Sequence, residues 1–211
     1  MKNLTKNKGV MLVLSSPSGA GKSSICKSLI NLEKNLSLSV STTTRDKRVN
    51  EKSGKDYSFV SIDKFKDMLK KGYFIEHAYV FGNYYGTSKS LVEKKINNGK
   101  DLIFDIDWQG AQQLREKMRE DIVSVFILPP NKKELEKRLK NRGQDSNEVV
   151  NERMNGASAE ITHWAEYDYV VVNDDLEESV KNVLGILKSE RLKRIRQTGL
   201  GDFVRSISNN L

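Results

Sequence analysis

Only one cysteine, Cys26, stands among 211 residues, beside three prolines and two histidines, and no apolar run is long enough to span a bilayer. A lone cysteine excludes an intramolecular disulfide and fits a reducing compartment, with Cys26 itself read as a small buried residue of a helix. The first nine residues, MKNLTKNKG, carry charge but no apolar segment after it, so they are not a signal peptide. The expected location is the cytoplasm, with no membrane partner. Low-complexity linkers and internal repeats are also absent, and the length suits a single domain with insertions. An excess of 36 Lys+Arg over 28 Asp+Glu, net +8, would suit a nucleic-acid binder or a protein that handles phosphates. The basic residues are spread along the chain rather than gathered in a patch, which weighs against nucleic acid.

What is present begins at Val10. Five consecutive apolar residues, Val10 to Leu14, read as a strand buried on both faces, as in a parallel sheet covered by helices. The turn that follows, Ser16-Pro17-Ser18-Gly19-Ala20-Gly21, leads into Lys22, Ser23 and Ser24 at the start of a helix running to Leu32. Converging backbone N–H groups and the positive helix end make such a turn a phosphate cradle. In the pattern G-x-x-x-x-G-K-S/T the lysine reaches the outer phosphates and the hydroxyl ligates Mg²⁺, roles that fall to Lys22 and Ser23. Ser16 stands where the first glycine would be. The plain alternative is a glycine-rich turn with a surface lysine.

Strand and helix then alternate. A short strand is expected at Leu36 to Val40, strands at Leu102 to Asp107, Val123 to Leu128 and Tyr169 to Asn173, and helices at Lys89 to Asn98, Gln109 to Met118, Lys132 to Arg142 and Glu148 to Trp164. A final helix repeats apolar residues at Leu176, Val180, Val183, Leu184 and Leu187. Residues 41 to 88 differ in character, with strand-like Gly54 to Val60, a helix from Ile62 to Lys71 capped by Ser61, and strand-like sequence from Phe74 to Gly86. The fold class is therefore α/β: a P-loop doubly wound parallel sheet with a small inserted α+β region. The expected divisions are a core of residues 8–40, 89–134 and 157–196, an insertion at 41–88, a charged helical segment at 135–156 and a C-terminal tail at 197–211.

Asp105 ends the apolar strand LIFD, where a P-loop protein positions the carboxylate that holds Mg²⁺ or its water shell. Asp107 could do the same or cap the next helix. In the insertion, Arg45 and Arg48 follow a hydroxyl cluster, a composition suited to a second, dianionic phosphate, and Tyr57 and Tyr85 could add phenolic donors. Glu76 lies in an otherwise apolar and aromatic strand.

Six segments, SPSGAGKSS, SVSTTTRDKR, GKDYSFV, FIEHA, GNYYGT and DIDWQG, occur in the order and at the spacings of the guanylate kinases, which the chain resembles from Gly9 to about Leu187. The resemblance implies an ATP:GMP phosphotransferase of the P-loop nucleoside-monophosphate kinase type, with dGMP as a further acceptor and Mg²⁺ accompanying ATP. It implies that Ser16 to Ser24 bind ATP, with Asn173 near the adenine, and that Ser23 and, through water, Asp105 hold the metal. It implies that Ser41, Glu76, Thr87 and Asp107 read guanine while Arg45, Arg48, Tyr57 and Tyr85 grip the GMP phosphate. It further implies that the insertion at 41–88 is a nucleotide-binding region and that residues 135–156 form a helical lid, whose Arg138, Arg142 and Arg153 would act with Lys22 on the transferring group. Arg138 and Arg142 lie at i and i+4 in a stretch where eight of eleven residues are charged, a like-charge pairing unfavourable unless an anion sits between them. Two other readings compete: a guanylate-kinase-like binding module without catalysis, and a basic nucleic-acid binder whose affinity would fall steeply with salt. The oligomeric state, a homo-oligomer included, is open.

Overall fold

The computed structural model describes residues 7–49, 51–80, 82–141 and 147–209. Its core is a five-stranded parallel sheet in the order β2-β7-β1-β8-β9, built from β1 (Met11–Ser15), β2 (Leu36–Leu38), β7 (Asp101–Asp105), β8 (Ile122–Leu128) and β9 (Tyr169–Val172). β1 sits at the centre, and every one of its residues is buried. Side chains alternate across a strand, so Leu12 and Leu14 enter one apolar layer while Met11 and Val13 enter the other. The first layer is closed by Ile25 and Leu29 of α1 (Lys22–Leu32) and by Val183 and Leu187 of α7 (Leu176–Arg191). The second is closed by Ile96 of α3 (Lys89–Asn97) and Leu114 of α4 (Trp108–Met118). Burial of each such side chain is worth about 1.5–3 kcal/mol. Together they fix β1, and with it the turn at its carboxyl end.

A second sheet, order β4-β3-β6-β5, comprises β3 (Ser41–Thr43), β4 (Tyr57–Phe59), β5 (Phe74–Val80) and β6 (Asn83–Ser88). β5 and β6 pair as an antiparallel hairpin, and α2 (Ile62–Lys70) drives the fully buried Phe65 between Phe74 and Tyr84, at ring-centroid distances of 4.5 and 5.3 Å. The Ser61 hydroxyl caps this helix by accepting from the Lys64 N–H. α4 ties the second sheet to the core: Gln113 donates to the His77 carbonyl and accepts from its N–H, while Lys117 donates to the Ile75 carbonyl. Glu76 lies between those two anchored residues.

α5 (Lys132–Asn141) and α6 (Asn147–Thr162) follow β8, and a 3₁₀ turn at His163–Glu166 ends α6 where the sequence suggested helix to Trp164. Beyond α7 the chain forms a further helix, α8 (Leu200–Ser208), in the segment read as a tail. Among the described residues no helix is long and apolar enough to cross a membrane.

The amino-terminal edge of the sheet is closed by buried charge. Arg196 and Glu190 are 2% and 1% exposed and pair at 3.1 Å, with Arg196 also donating to the Asp121 carbonyl. Removing one partner of such a pair leaves the other buried and uncompensated, which costs about 3–5 kcal/mol. Glu190→Ala should therefore lower the unfolding free energy by about that amount in urea titrations. The paired substitution Glu190→Leu with Arg196→Met should cost much less. Equal losses in the two proteins would show that packing, not uncompensated charge, dominates there.

Candidate active site

The turn after β1 is held in shape by glycine conformations and by packing beneath it. Gly19 and Gly21 have φ of 90° and 100°, the left-handed region that side chains rarely adopt. A Cβ on Gly21 would lie 2.2 Å from Asn173 Nδ2, and one on Gly19 would lie 2.9 Å from the Leu139 side chain. Asn173 is buried and donates to the Ala20 carbonyl at 2.7 Å. It therefore supports the loop from below. Pro17 and Ala20 are buried, Ser16 and Ser18 half-buried, and Ser23 and Ser24 exposed at the mouth.

Lys22 opens α1 and turns back over the loop. Its Nζ lies 2.9 Å from Asp105 Oδ1 and donates to the Ile106 carbonyl, while the Ser23 hydroxyl donates to Asp105 Oδ2 at 2.8 Å. Burial by itself would lower the Lys22 pKa, but the charge and hydrogen bond of Asp105 outweigh it and raise the lysine above its ordinary value. Of the two strand-end aspartates, Asp105 faces the loop. Asp107 caps α4, accepting from the Gly110 N–H and the Gln109 amide.

On the second sheet, Glu76 is 2% exposed and accepts from the Thr87 hydroxyl, which is itself 3.3 Å from the Ser41 hydroxyl. The register Glu76↔Thr87 on β5 and β6 places these groups opposite each other. Gly110 makes room for them, since a Cβ there would stand 2.7 Å from Glu76 Oε2. Burial pushes the Glu76 carboxyl up to about 7; Asp107 adds to the rise, while Thr87 and Lys117 oppose it.

Arg45 lies over the Tyr57 and Phe59 rings, at 5.3 and 5.9 Å, and pairs with Glu51 at 2.7 Å. Glu51 also accepts from the Arg48 N–H, whereas the Arg48 side chain is exposed. Tyr57 and Tyr85 meet edge to face with centroids 6.1 Å apart. Tyr57 reaches across to the core: burial pushes its phenol up to about 12, and both Asp105 and Lys22 lie within electrostatic range. The loop after β1 and the Arg45–Tyr57–Tyr85 cluster thus lie within electrostatic range of each other.

Arg138, on α5, donates to the Asn173 carbonyl at 3.0 Å and pairs with Glu134 at 2.9 Å, beside the loop. Arg153 sits half-buried on α6, and Arg142 lies outside the described residues. Two carboxylates that sequence reasoning missed also belong to the site. Glu51 orients Arg45, and Glu160 of α6 accepts from the Ser18 N–H of the loop at 3.1 Å. Nearby, His163 stacks on Trp108 with centroids 3.8 Å apart.

A phosphate loop at the carboxyl end of a central parallel strand, facing a small sheet that carries an arginine, two tyrosines and a buried carboxylate, defines the class of P-loop mononucleotide kinases. Comparison with known proteins narrows the class. The family model for guanylate kinase matches residues 8–190. The guanylate kinase of Paramagnetospirillum magneticum is 53% identical over 200 residues, covering 95% of this chain and 94% of its own length. That of Nitrobacter winogradskyi is 52% identical over 206 residues, covering 98% and 94%. The crystal structure of guanylate kinase from Anaplasma phagocytophilum matches with a TM-score of 0.81 and 42% identity, over 96% of this chain and 97% of that one. The chain belongs to the guanylate kinase family.

The lysine's pairing makes a direct prediction. In Asp105→Asn the main counter-charge is gone and burial is opposed only by the smaller effects of Cys26 and Tyr57, so the Lys22 pKa should fall from its raised value. Titration of the Lys22 side chain by heteronuclear NMR reads this, and a pKa that stays raised would show that another group holds the charge.

Proposed function

We infer that this chain transfers the γ-phosphoryl group of ATP to GMP, giving ADP and GDP, as its family membership indicates. The observation that carries the acceptor's identity is the buried Glu76 beside Thr87 and Ser41. Guanine offers N1–H and N2–H₂ as donors and O6 as an acceptor. An ionised Glu76 accepts from both donors, and the Ser41 hydroxyl donates to O6. Thr87 orients Glu76, and Asp107 lies on the same side. Adenine has an acceptor at N1, so AMP would leave a buried carboxylate without a donor, a mismatch that can cost about 10⁴ or more in kcat/KM. Arg45 with Tyr57 and Tyr85 takes the GMP phosphate, and Arg48 joins by turning its exposed side chain inward.

The donor phosphates belong on Ser16 to Ser24, with the loop amides and Lys22 as cradle. A GMP phosphate oxygen is already an anionic nucleophile, so the protein's task is in-line positioning and stabilisation of charge on the transferring group. Lys22 supplies one cation, and Arg138, Arg142 and Arg153, on a lid of residues 135–156, supply others as it closes and excludes water. Asn173, buried under Ala20, keeps the loop in shape, and its place near the adenine rests on the family resemblance alone. The oxygen pair of Ser23 and Asp105 suits Mg²⁺, a hard cation that takes one or two protein oxygens together with substrate phosphate and water. Bound there, the ion would neutralise charge on the donor phosphates.

An ADP-release assay with GMP, dGMP, AMP, UMP and CMP tests the assignment directly: guanine nucleotides should be the acceptors, and comparable turnover of AMP would refute it. Because only ionised Glu76 accepts both guanine donors, affinity should rise with pH through the carboxyl's value of about 7. For guanosine, which has no phosphate to titrate, calorimetric Kd should be about tenfold weaker at pH 6 than at pH 8. In Glu76→Gln that pH dependence should vanish and guanosine binding should weaken. Lys22→Met and Arg138→Ala should each lower kcat on the order of 10² or more with GMP Kd little changed. Loss of GMP binding with kcat intact would move Arg138 to the acceptor site.

A further inference from the structure

Nothing in the mechanism above uses Glu160, yet its carboxylate lies inside the donor site. It accepts from the Ser18 N–H, one of the amides of the phosphate loop, at 3.1 Å. Lys22, Asp107 and Arg153 are all within its electrostatic range. The placement follows from α6. Val150, Ala157 and Met154 pack that helix against Leu135 and Leu139 of α5, and Leu139 in turn closes on Gly19. Arg153 and Glu160 are seven residues apart, two helical turns, and so share the face turned to the loop. One helix therefore offers the donor phosphates a cation and an anion together.

We propose that Glu160 is an affinity-limiting residue of the donor site, a carboxylate that competes with nucleotide phosphates for the loop and keeps ATP and ADP from binding too tightly. The inference rests on Ser16–Ser24 being the ATP site. A triphosphate entering the loop meets a like charge already hydrogen-bonded to a loop amide in a half-buried setting, where water screens poorly. Binding then requires the carboxylate to withdraw or the phosphates to sit against it, and both weaken the complex. The same repulsion acts on ADP and hastens its release, a step that limits turnover in many enzymes that close over their substrates. Arg153, on the same face, restores attraction as the charge on the transferring group develops.

Glu160→Gln separates charge from shape, because the amide oxygen can still accept from Ser18 while the negative charge is gone. Calorimetry with Mg-ATP and with ADP should show both bound about tenfold more tightly than by the wild type, with KM for ATP falling in parallel and Kd for GMP unchanged within a factor of two. Glu160→Asp, which keeps the charge but draws it back by one methylene, should tighten ATP binding less, by two- to fourfold, and serves as the test if the glutamine variant does not fold. A residue that only braced the loop would lower Tm without tightening either nucleotide. Unchanged or weaker ATP binding in a folded variant overturns the proposal. Failure of the wild type to bind ATP at all would instead overturn the assignment of the loop.

Discussion

The Lys22–Asp105 pair is the contact on which the rest of the site depends. Lys22 is the first residue of α1, where the helix dipole disfavours a cation, and its side chain is only 17% exposed. Left alone there, the ammonium would lose hydration and meet a positive helix end. The parallel register Leu14↔Asp105 supplies the remedy, because it brings a carboxylate level with the end of β1. Ser23 then closes on the other oxygen of the same carboxylate. A lysine, a hydroxyl and a carboxylate are thus fixed by backbone pairing deep in the sheet.

That arrangement would be of little use if the loop between β1 and α1 could collapse. It is supported from three directions: Asn173 under Ala20, Leu135 and Leu139 against Gly19, and Glu160 on Ser18. The glycines are needed twice over, for left-handed φ and for lack of room. The supporting residues come from β9's end, α5 and α6, so the loop's shape reports on the helices proposed to move. Preorganisation of the loop and its coupling to the lid have the same physical origin.

Those parts of the molecule written as local pattern were legible in the sequence. The apolar run of β1, the loop after it, the alternation of strand and helix, Asp105 at a strand end and Ser61 as a cap all depend on neighbours in the chain. Of the second sheet, the strand-like stretches Gly54 to Val60 and Phe74 to Gly86 and the helix between them were visible, but β3 was not, and the strand order rests on pairings between β3, β4 and β6 that no periodicity encodes. Asp107 was ambiguous because a strand-end carboxylate looks the same whether it caps a helix or faces a phosphate; here it caps α4. Glu51 and Glu160 were missed for another reason. Glu51 is one acid among several charges on an exposed segment, and Glu160 is a single acid in an otherwise uncharged stretch of helix; each acquires meaning only through a partner, Arg45 six residues away and Ser18 at a separation of 142.

Burial and recognition oppose each other at Glu76. Holding its carboxyl near 7 instead of the ordinary 4.5 means that the ionised form costs the fold roughly 3 kcal/mol at high pH. Thr87 offsets only part of that, and Gly110 has given up a side chain to leave the carboxylate its space. A site built for stability alone would put an apolar residue there. The cost makes sense if two donors on a planar base complete the hydrogen bonding that the protein leaves undone. A base with the opposite pattern would leave the charge buried and unpaired. Selectivity then comes less from attraction to the right base than from the penalty that the wrong one cannot relieve.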